Sequence, residues 1–269
     1  MPVQPLPAST VILIRDGSRS PEVLMLERHG KSDFLPDMYV FPGGRVEESD
    51  YALSDRVQGL TDRGAAALLT TVDPDHAMGF VVAAIRETWE ESGILLASRR
   101  GSDQLIGGEH AAELSRHRLE VQAGSRSFRD LVESEDLILA ADRLAVHGHW
   151  ITPEAVPRRF DTLFFATLAP PGQLAAHDGV ESTDHVWTRP ENALEQGREG
   201  KLRIIFPTAC TLETLVGFDT AEAALAAARE RPVVPCLPVF VEKDGERRLT
   251  IPEEAGYPRS YEVVGRESG

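Results

Sequence analysis

The sequence predicts an α/β fold. Three observations carry that expectation: short apolar runs at 10–14, 22–26, 38–41 and 160–168 read as strands, residues 81–92 read as one helix, and further helix-forming segments separate the strands. Of 269 residues, 42% are hydrophobic, enough to pack a core in one elaborated domain.

Taken in order, the runs Thr10–Ile14 and Glu22–Leu26 flank Asp16-Gly17-Ser18, which predicts a hairpin at the start of a sheet. Met38-Tyr39-Val40-Phe41 predicts a strand that ends in a Pro42-Gly43-Gly44 turn. Paired glycines let main-chain groups approach a phosphate or a metal where a Cβ would obstruct them. Residues 45–78 form an insertion, with short helical signals at 49–53 and 65–69.

The stretch Val81–Ser92 lacks Pro and Gly, and Gly93 stands where a helix stop is expected. At about 100° per residue, Glu87, Glu90 and Glu91 project from one side while Val81, Ile85 and Trp89 line another. Three like charges on one face cost free energy unless a cation lies between them, and carboxylate oxygens suit hard divalent cations such as Mg²⁺ and Mn²⁺.

After a loop at 98–103, segments 109–122 and 127–134 predict two helices of a second insertion, 98–149. His147-Gly148-His149 has metal-ligand residue types, but without a third ligand in view the pair reads as structural. Phe160–Leu168 predicts a strand, with Arg158 and Arg159 just ahead of it. Planar guanidinium forks suit phosphate oxygens, so Arg159 is the first candidate for phosphate binding and Arg158 the second. Arg28 and Lys31 are further candidates in a loop that equally fits a solvated surface. Segments 208–217 and 220–229 predict helices, and Val239–Ile251 a hairpin on a Lys-Asp-Gly turn. The tail from Glu253 is expected to gain order only from a partner subunit.

Composition narrows the function. A formal charge of −15 argues against nonspecific binding to DNA or RNA, so an anionic substrate must meet local positive charge from metals and a few arginines. No apolar run is long enough to cross a bilayer, and the N-terminus lacks the features of a signal peptide. Two cysteines, Cys210 and Cys236, are too few for a disulfide framework and predict buried thiols in a reducing, cytoplasmic setting.

Phe41-Pro42-Gly43-Gly44-Arg45-Val46-Glu47, taken with Arg86-Glu87-x-x-Glu90-Glu91-x-Gly93-Ile94, resembles the signature of the nudix hydrolases. Thr88 stands where an aliphatic residue is usual, and Asp50 where the family has Glu. Residues 51–85 separate the two halves, which the usual signature keeps close together. An interruption at this point, the run Ala84–Glu91, and the later segment Trp150–Phe165 are similar to one branch, the nudix-type motif 19 proteins that cleave coenzyme A. The resemblance covers most of residues 9–218.

The resemblance implies an α/β/α sandwich around a central mixed sheet. Its core would be 9–44, 79–97 and 150–218, with insertions at 45–78 and 98–149 and a C-terminal helix and hairpin at 219–269. It implies Mg²⁺ or Mn²⁺ held by Glu87, Glu90 and Glu91 with Gly44 and Glu181, and Arg86 orienting a glutamate. Gly43, Gly44, Arg28 and Arg159 would contact substrate. The general base is a glutamate of the motif or Glu181. Asp50, Asp73 and Asp75 all remain candidates for the displaced acid.

The implied reaction is hydrolysis of coenzyme A or its acyl esters to 3′,5′-ADP and 4′-phosphopantetheine, in a possible homodimer. An ADP-ribose or dinucleotide diphosphatase is the alternative enzyme, and a nucleotide-binding sensor without turnover is the alternative of a different class.

Overall fold

The computed structural model describes residues 3–30 and 36–266. Lys31 lies outside the described residues. In chain order the strands and helices are β1 (Leu6–Asp16), β2 (Pro21–Arg28), β3 (Tyr39–Val40), β4 (Gly43–Arg45), α1 (Glu48–Tyr51), α2 (Asp62–Leu68) and α3 (Ala77–Ser92). The second insertion holds β5 (Ala97–Arg99), α4 (Gly108–Ser115), α5 (Arg118–Gln122), α6 (Phe128–Ser134) and β6 (Leu137–Leu139). Then follow β7 (Ala145–Ile151), β8 (Phe160–Leu168), β9 (Ser182–Thr188), α7 (Pro190–Arg198), α8 (Phe206–Glu213) and α9 (Ala221–Glu230). The chain ends in β10 (Pro235–Cys236), β11 (Val239–Lys243), β12 (Glu246–Thr250) and β13 (Tyr261–Arg266).

The central sheet is mixed, in the order β10-β7-β8-β1-β2-β3, with β4 on β1 and β9 on β2. β1 runs parallel to β8, from Leu6 opposite Phe160 to Ile14 opposite Leu168, and antiparallel to β2 and β4. Both faces of these central strands are covered, which is why they read as continuous apolar runs rather than as alternation. The period of two still sorts their side chains. Val11, Leu13, Leu163 and Phe165 join the core under α3, whereas Ile12, Ile14, Phe164 and Ala166 join a second core under α8 and α9. The result is the expected α/β/α sandwich.

α3 begins at Ala77, before the expected Val81, because Gly79 is accommodated inside it. A Cβ at Gly79 would sit 2.2 Å from the Tyr51 ring, so the glycine lets α1 close over the helix. Its far end is as expected: Gly93 takes the left-handed conformation and its N–H donates to the Trp89 carbonyl at 2.8 Å.

Other expectations are corrected. Gly43 and Gly44 do not turn; they lie in β4, paired with Thr10 and Ser9. Residues 145–149, assigned from sequence to an insertion, form most of β7 inside the central sheet. The helix expected over 109–122 breaks at Arg116–His117 into α4 and α5. The tail is ordered within its own chain, since β13 pairs with β12 and extends the expected hairpin to three strands. Asp244 and Gly245, both at positive φ, make the turn of that hairpin.

Cys210 and Cys236 are buried free thiols, and burial pushes the Cys236 thiol up to about 11. Among the described residues no helix is long and apolar enough to cross a membrane.

Candidate active site

α3 is buried on nearly every side, so its polar residues sit inside the protein rather than on a wet face. Arg86 is 3% exposed and Glu91 2%. A buried guanidinium requires partners for its donors, and Arg86 has them. Its Nε and Nη2 donate to Asp50 Oδ1 and Oδ2 at 2.8 and 3.0 Å, Nη1 to Glu87 Oε1 at 2.8 Å and Glu90 Oε1 at 3.2 Å, and Nη2 also to the Arg45 carbonyl at 2.8 Å. Arg86 therefore holds two of the three helix glutamates and locks the turn after β4 to α3.

Asp50 is positioned by a capping box at the start of α1, in which the Glu47 N–H donates to Asp50 Oδ2 at 2.8 Å. This geometry separates the three candidates for the displaced acid. Asp50 reaches Arg86, whereas Asp73 accepts from the Asp75 N–H and serves only the turn ahead of α3.

The glycine pair meets the glutamates directly. The Gly43 N–H donates to Glu91 Oε2 at 2.9 Å. A Cβ on Gly44 would lie 2.5 Å from the Glu87 carboxylate, and one on Gly43 would lie 2.3 Å from the Ser9 carbonyl oxygen. At Gly43, where the neighbour is main chain, only glycine lets β4 lie against β1.

Burial dominates the electrostatics. It raises Glu87 to about 7, with Glu90 and Glu181 pushing the same way and Arg86 opposing. Burial likewise raises Glu90, with Glu47 and Asp50 adding, and raises Glu91 well above the carboxylate range, with Glu87 adding and the Gly43 N–H and Arg28 opposing. One arginine does not neutralise this group of carboxylates. Hard oxygen donors converging in a buried, under-neutralised cluster fit Mg²⁺ or Mn²⁺, so Glu87, Glu90 and Glu91 could hold such an ion.

Glu87 and Glu90 line a cleft of about 990 Å³, while Glu91 is buried against the Gly43 N–H. Gly43, Gly44, Glu47, Arg86, Arg28 and Glu181 line the cleft as well. Glu181 is exposed at the cleft mouth, near enough to act electrostatically on both Glu87 and Glu91. One side of the cleft is built by the second insertion, with Gln122, Arg126 and Phe128; the other side is largely apolar, with Trp150, Phe160, Phe164 and Phe206.

Arg159 is not in the cleft. It is buried, and its Nε and Nη1 donate to the main-chain carbonyls of Thr152 and Val3 at 3.0 and 2.7 Å. Arg159 is therefore not placed to meet a ligand in the cleft; its exposed neighbour Arg158 lines it, the guanidinium 5.5 Å from the Phe160 ring centroid. The two histidines also part company. His147 bonds Thr214 and His149 bonds Thr71 and Asp161, on opposite sides of the sheet, because the β7–β8 register shifts between Val146 and Gly148.

Sequence reasoning missed Arg118, Gln122 and Arg126. Arg118 donates from Nε and Nη2 to the Glu90 carbonyl at 3.0 and 2.7 Å, satisfying the end of α3 where its carbonyls lack partners. Gln122 Nε2 donates to the same carbonyl and to Asp178. No spacing within the insertion signals these contacts, because they depend on how α5 docks against α3.

Comparison with known proteins agrees with this geometry. Residues 66–215 match the NUDT19 Nudix domain family. The acyl-coenzyme A diphosphatase NUDT19 of Xenopus laevis is 27% identical, aligned over 91% of this chain and 74% of its own. The protein of the same name from Gallus gallus is 27% identical over 93% of this chain and 79% of its own. A crystal structure of a NUDIX hydrolase from Alicyclobacillus acidocaldarius superposes with a TM-score of 0.65 at 26% identity, covering 83% of this chain and 96% of that one. With the acid, arginine and glutamates of an interrupted signature gathered at one cleft, this chain belongs to the NUDT19-type nudix hydrolases, enzymes that act on a diphosphate bond.

Proposed function

We propose that this protein hydrolyses coenzyme A or its acyl thioesters at the diphosphate, releasing 3′,5′-ADP and 4′-phosphopantetheine or its acyl form. The observation that carries the reading is the continuity of the cleft. A single cavity joins the acidic centre to a basic and polar side and to an apolar side, matching a substrate with a charged nucleotide, a diphosphate and a long, weakly polar arm. The relatives named above as acyl-coenzyme A diphosphatases support it.

Glu87, Glu90 and Glu91 would hold Mg²⁺ or Mn²⁺. Such an ion, when bound, polarises phosphoryl oxygens, acidifies the attacking water and offsets charge on the leaving phosphate. Arg86 orients Glu87 and Glu90, and the Gly43 N–H orients Glu91. Arg28 and Arg158 bind phosphate oxygens of the substrate, with Gly43 and Gly44 allowing the backbone to come close. In the reaction one oxygen of water bonds to one phosphorus as the bridging P–O bond breaks, and each phosphate leaves with one end of the substrate. The proton of the attacking water passes to a carboxylate, either a glutamate of α3 or Glu181, whose side chain accepts no hydrogen bond from another described residue.

The test is product analysis by mass after incubation with coenzyme A, an acyl-coenzyme A, ADP-ribose, NADH and diadenosine polyphosphates, each with Mg²⁺, with Mn²⁺ and with EDTA. Metal-dependent release of 3′,5′-ADP supports the proposal. Preferential cleavage of another substrate keeps the chemistry and replaces the substrate, and binding without turnover of any would establish a sensor. Glu90→Gln and Glu91→Gln should each lower turnover by about 10³-fold while circular dichroism stays unchanged, since only the charge of a metal-facing oxygen is removed; near-normal turnover in both would remove the proposed metal site.

A further inference from the structure

The two sides of the cleft differ in polarity. Toward the second insertion lie Gln122 and Arg126, and Arg28 stands at the centre. The opposite side is walled by Trp150, Phe160 and Phe164 on the sheet and by Ile204–Pro207 leading into α8, and it is closed by the C-terminal three-stranded sheet. The closing surface is a single cross-strand row. Phe240 of β11 pairs with Leu249 of β12, and Leu249 pairs with Glu262 of β13, so the three side chains share one face and all three line the cleft. Arg158 is the cation of that wall, over the Phe160 ring. It immediately precedes the Thr152-bonded Arg159 and β8, whose Phe160 is opposite Leu6, two positions along β1 from the Ala8–Arg45 pair.

We propose that the arm ending at Phe240, Leu249 and Glu262 takes the acyl chain of an acyl-coenzyme A, and that this row sets the length of chain accepted. The inference rests on the coenzyme A reading above and fixes the direction in which the substrate lies. The nucleotide, with its additional 3′-phosphate, belongs on the side of Arg126; the far row offers two apolar side chains and a carboxyl group that burial shifts towards its neutral form against the opposing pull of Arg259. Aromatic and aliphatic walls stabilise methylenes in proportion to the area they cover and give a purine edge few hydrogen-bond partners. The outer wall is also separable from the chemistry. Among the described residues, the C-terminal sheet pairs only within itself and contributes none of the groups around Arg86. Selectivity for chain length can therefore change without rebuilding the acidic centre.

The experiment is a series of kcat/KM values for coenzyme A and its butanoyl, octanoyl, dodecanoyl and hexadecanoyl thioesters, using the full chain with Mg²⁺. In the wild-type protein kcat/KM rises with chain length and then levels off or falls once the arm is full. Phe240 is 38% exposed, so its replacement leaves both main cores intact. Phe240→Ala should lower the dodecanoyl-to-free coenzyme A ratio by about tenfold, as expected for loss of one aromatic wall. Glu262→Leu, which extends the apolar row, should move the preferred chain to a longer member of the series. Ratios unchanged in both variants, with coenzyme A thioesters still cleaved, would overturn the acyl site while leaving the substrate class standing. Absence of cleavage of every coenzyme A species by the wild-type protein removes the parent reading, and this one with it.

Discussion

Asp50 and Arg86 form a buried two-point pair, Nε to Oδ1 at 2.8 Å and Nη2 to Oδ2 at 3.0 Å, although residues 51–85 lie between them in the chain. The insertion loops out and returns, and the pairing it interrupts in sequence is kept in space. Asp50→Asn should leave a buried guanidinium with one formal partner fewer. Breaking a buried pair typically costs 3–5 kcal/mol, and because Glu87 and Glu90 still face Arg86 the expected loss is about 2–3 kcal/mol. Turnover should fall as well, since Arg86 would shift the two glutamates. Urea denaturation and kcat on the same sample check both, and a stable but inactive variant would mean that Asp50 acts on the substrate rather than through Arg86.

Gly44→Ala addresses the close approach of β4 to α3. The added Cβ would lie 2.5 Å from the Glu87 carboxylate, a flexible end that can swing aside. Stability should therefore change little. Activity should drop by roughly 100-fold, because a displacement of about 1 Å in a catalytic group costs that much. Thermal midpoint and kcat/KM read the two effects separately, and an active Gly44→Ala would show that Glu87 tolerates displacement.

Much of this arrangement can be read from the sequence, for definite reasons. Glu87, Glu90 and Glu91 fall on one helix side by periodicity alone, and Gly93 marks the helix end through its freedom at positive φ. The pairing of Asp50 with Arg86 is invisible because it is a tertiary contact across an insertion. The Gly43–Gly44 strand is invisible because glycine carries no β signal; it pairs with β1 only because no side chain blocks it. The tail strand β13 is hidden for another reason: its Val263 and Val264 are exposed, so no buried alternation announces it.

Arg158 and Arg159 illustrate the same limit and yield a paired prediction. Adjacent residues ahead of a strand point to opposite sides, and sequence does not say which side faces the cleft. Arg159→Ala should remove two hydrogen bonds from a buried cation to main-chain carbonyls and lower stability by about 2 kcal/mol, with little change in KM beyond that. Arg158→Ala should instead raise KM by about tenfold and weaken the dependence of KM on ionic strength, leaving the unfolding midpoint near wild type. The reverse pattern would return phosphate binding to Arg159.

His147 is expected to steepen the acid side of the stability profile. Its ring is buried, its Nε2 meets Thr214 Oγ1 at 2.9 Å, and its Nδ1 has no partner among the described residues. Burial, with the Arg231 charge adding, lowers its pKa from 6.5 to about 3. The folded protein therefore holds the ring neutral where the unfolded chain takes up a proton. Between about pH 6.5 and 3 the unfolded state binds more protons, so stability falls as pH falls, by up to about 1.4 kcal/mol per pH unit from this one group. Above that window the group contributes no slope. Glu213, the carboxylate of α8 next to Thr214, is held by Arg259 and is not among the groups that act on the ring, which are burial and Arg231. His147→Gln keeps a donor for Thr214 and does not titrate. Denaturation free energies at pH 4, 5, 6 and 7 should give a shallower slope for the variant between pH 4 and 6, and parallel wild-type and variant curves would show that another group governs acid unfolding.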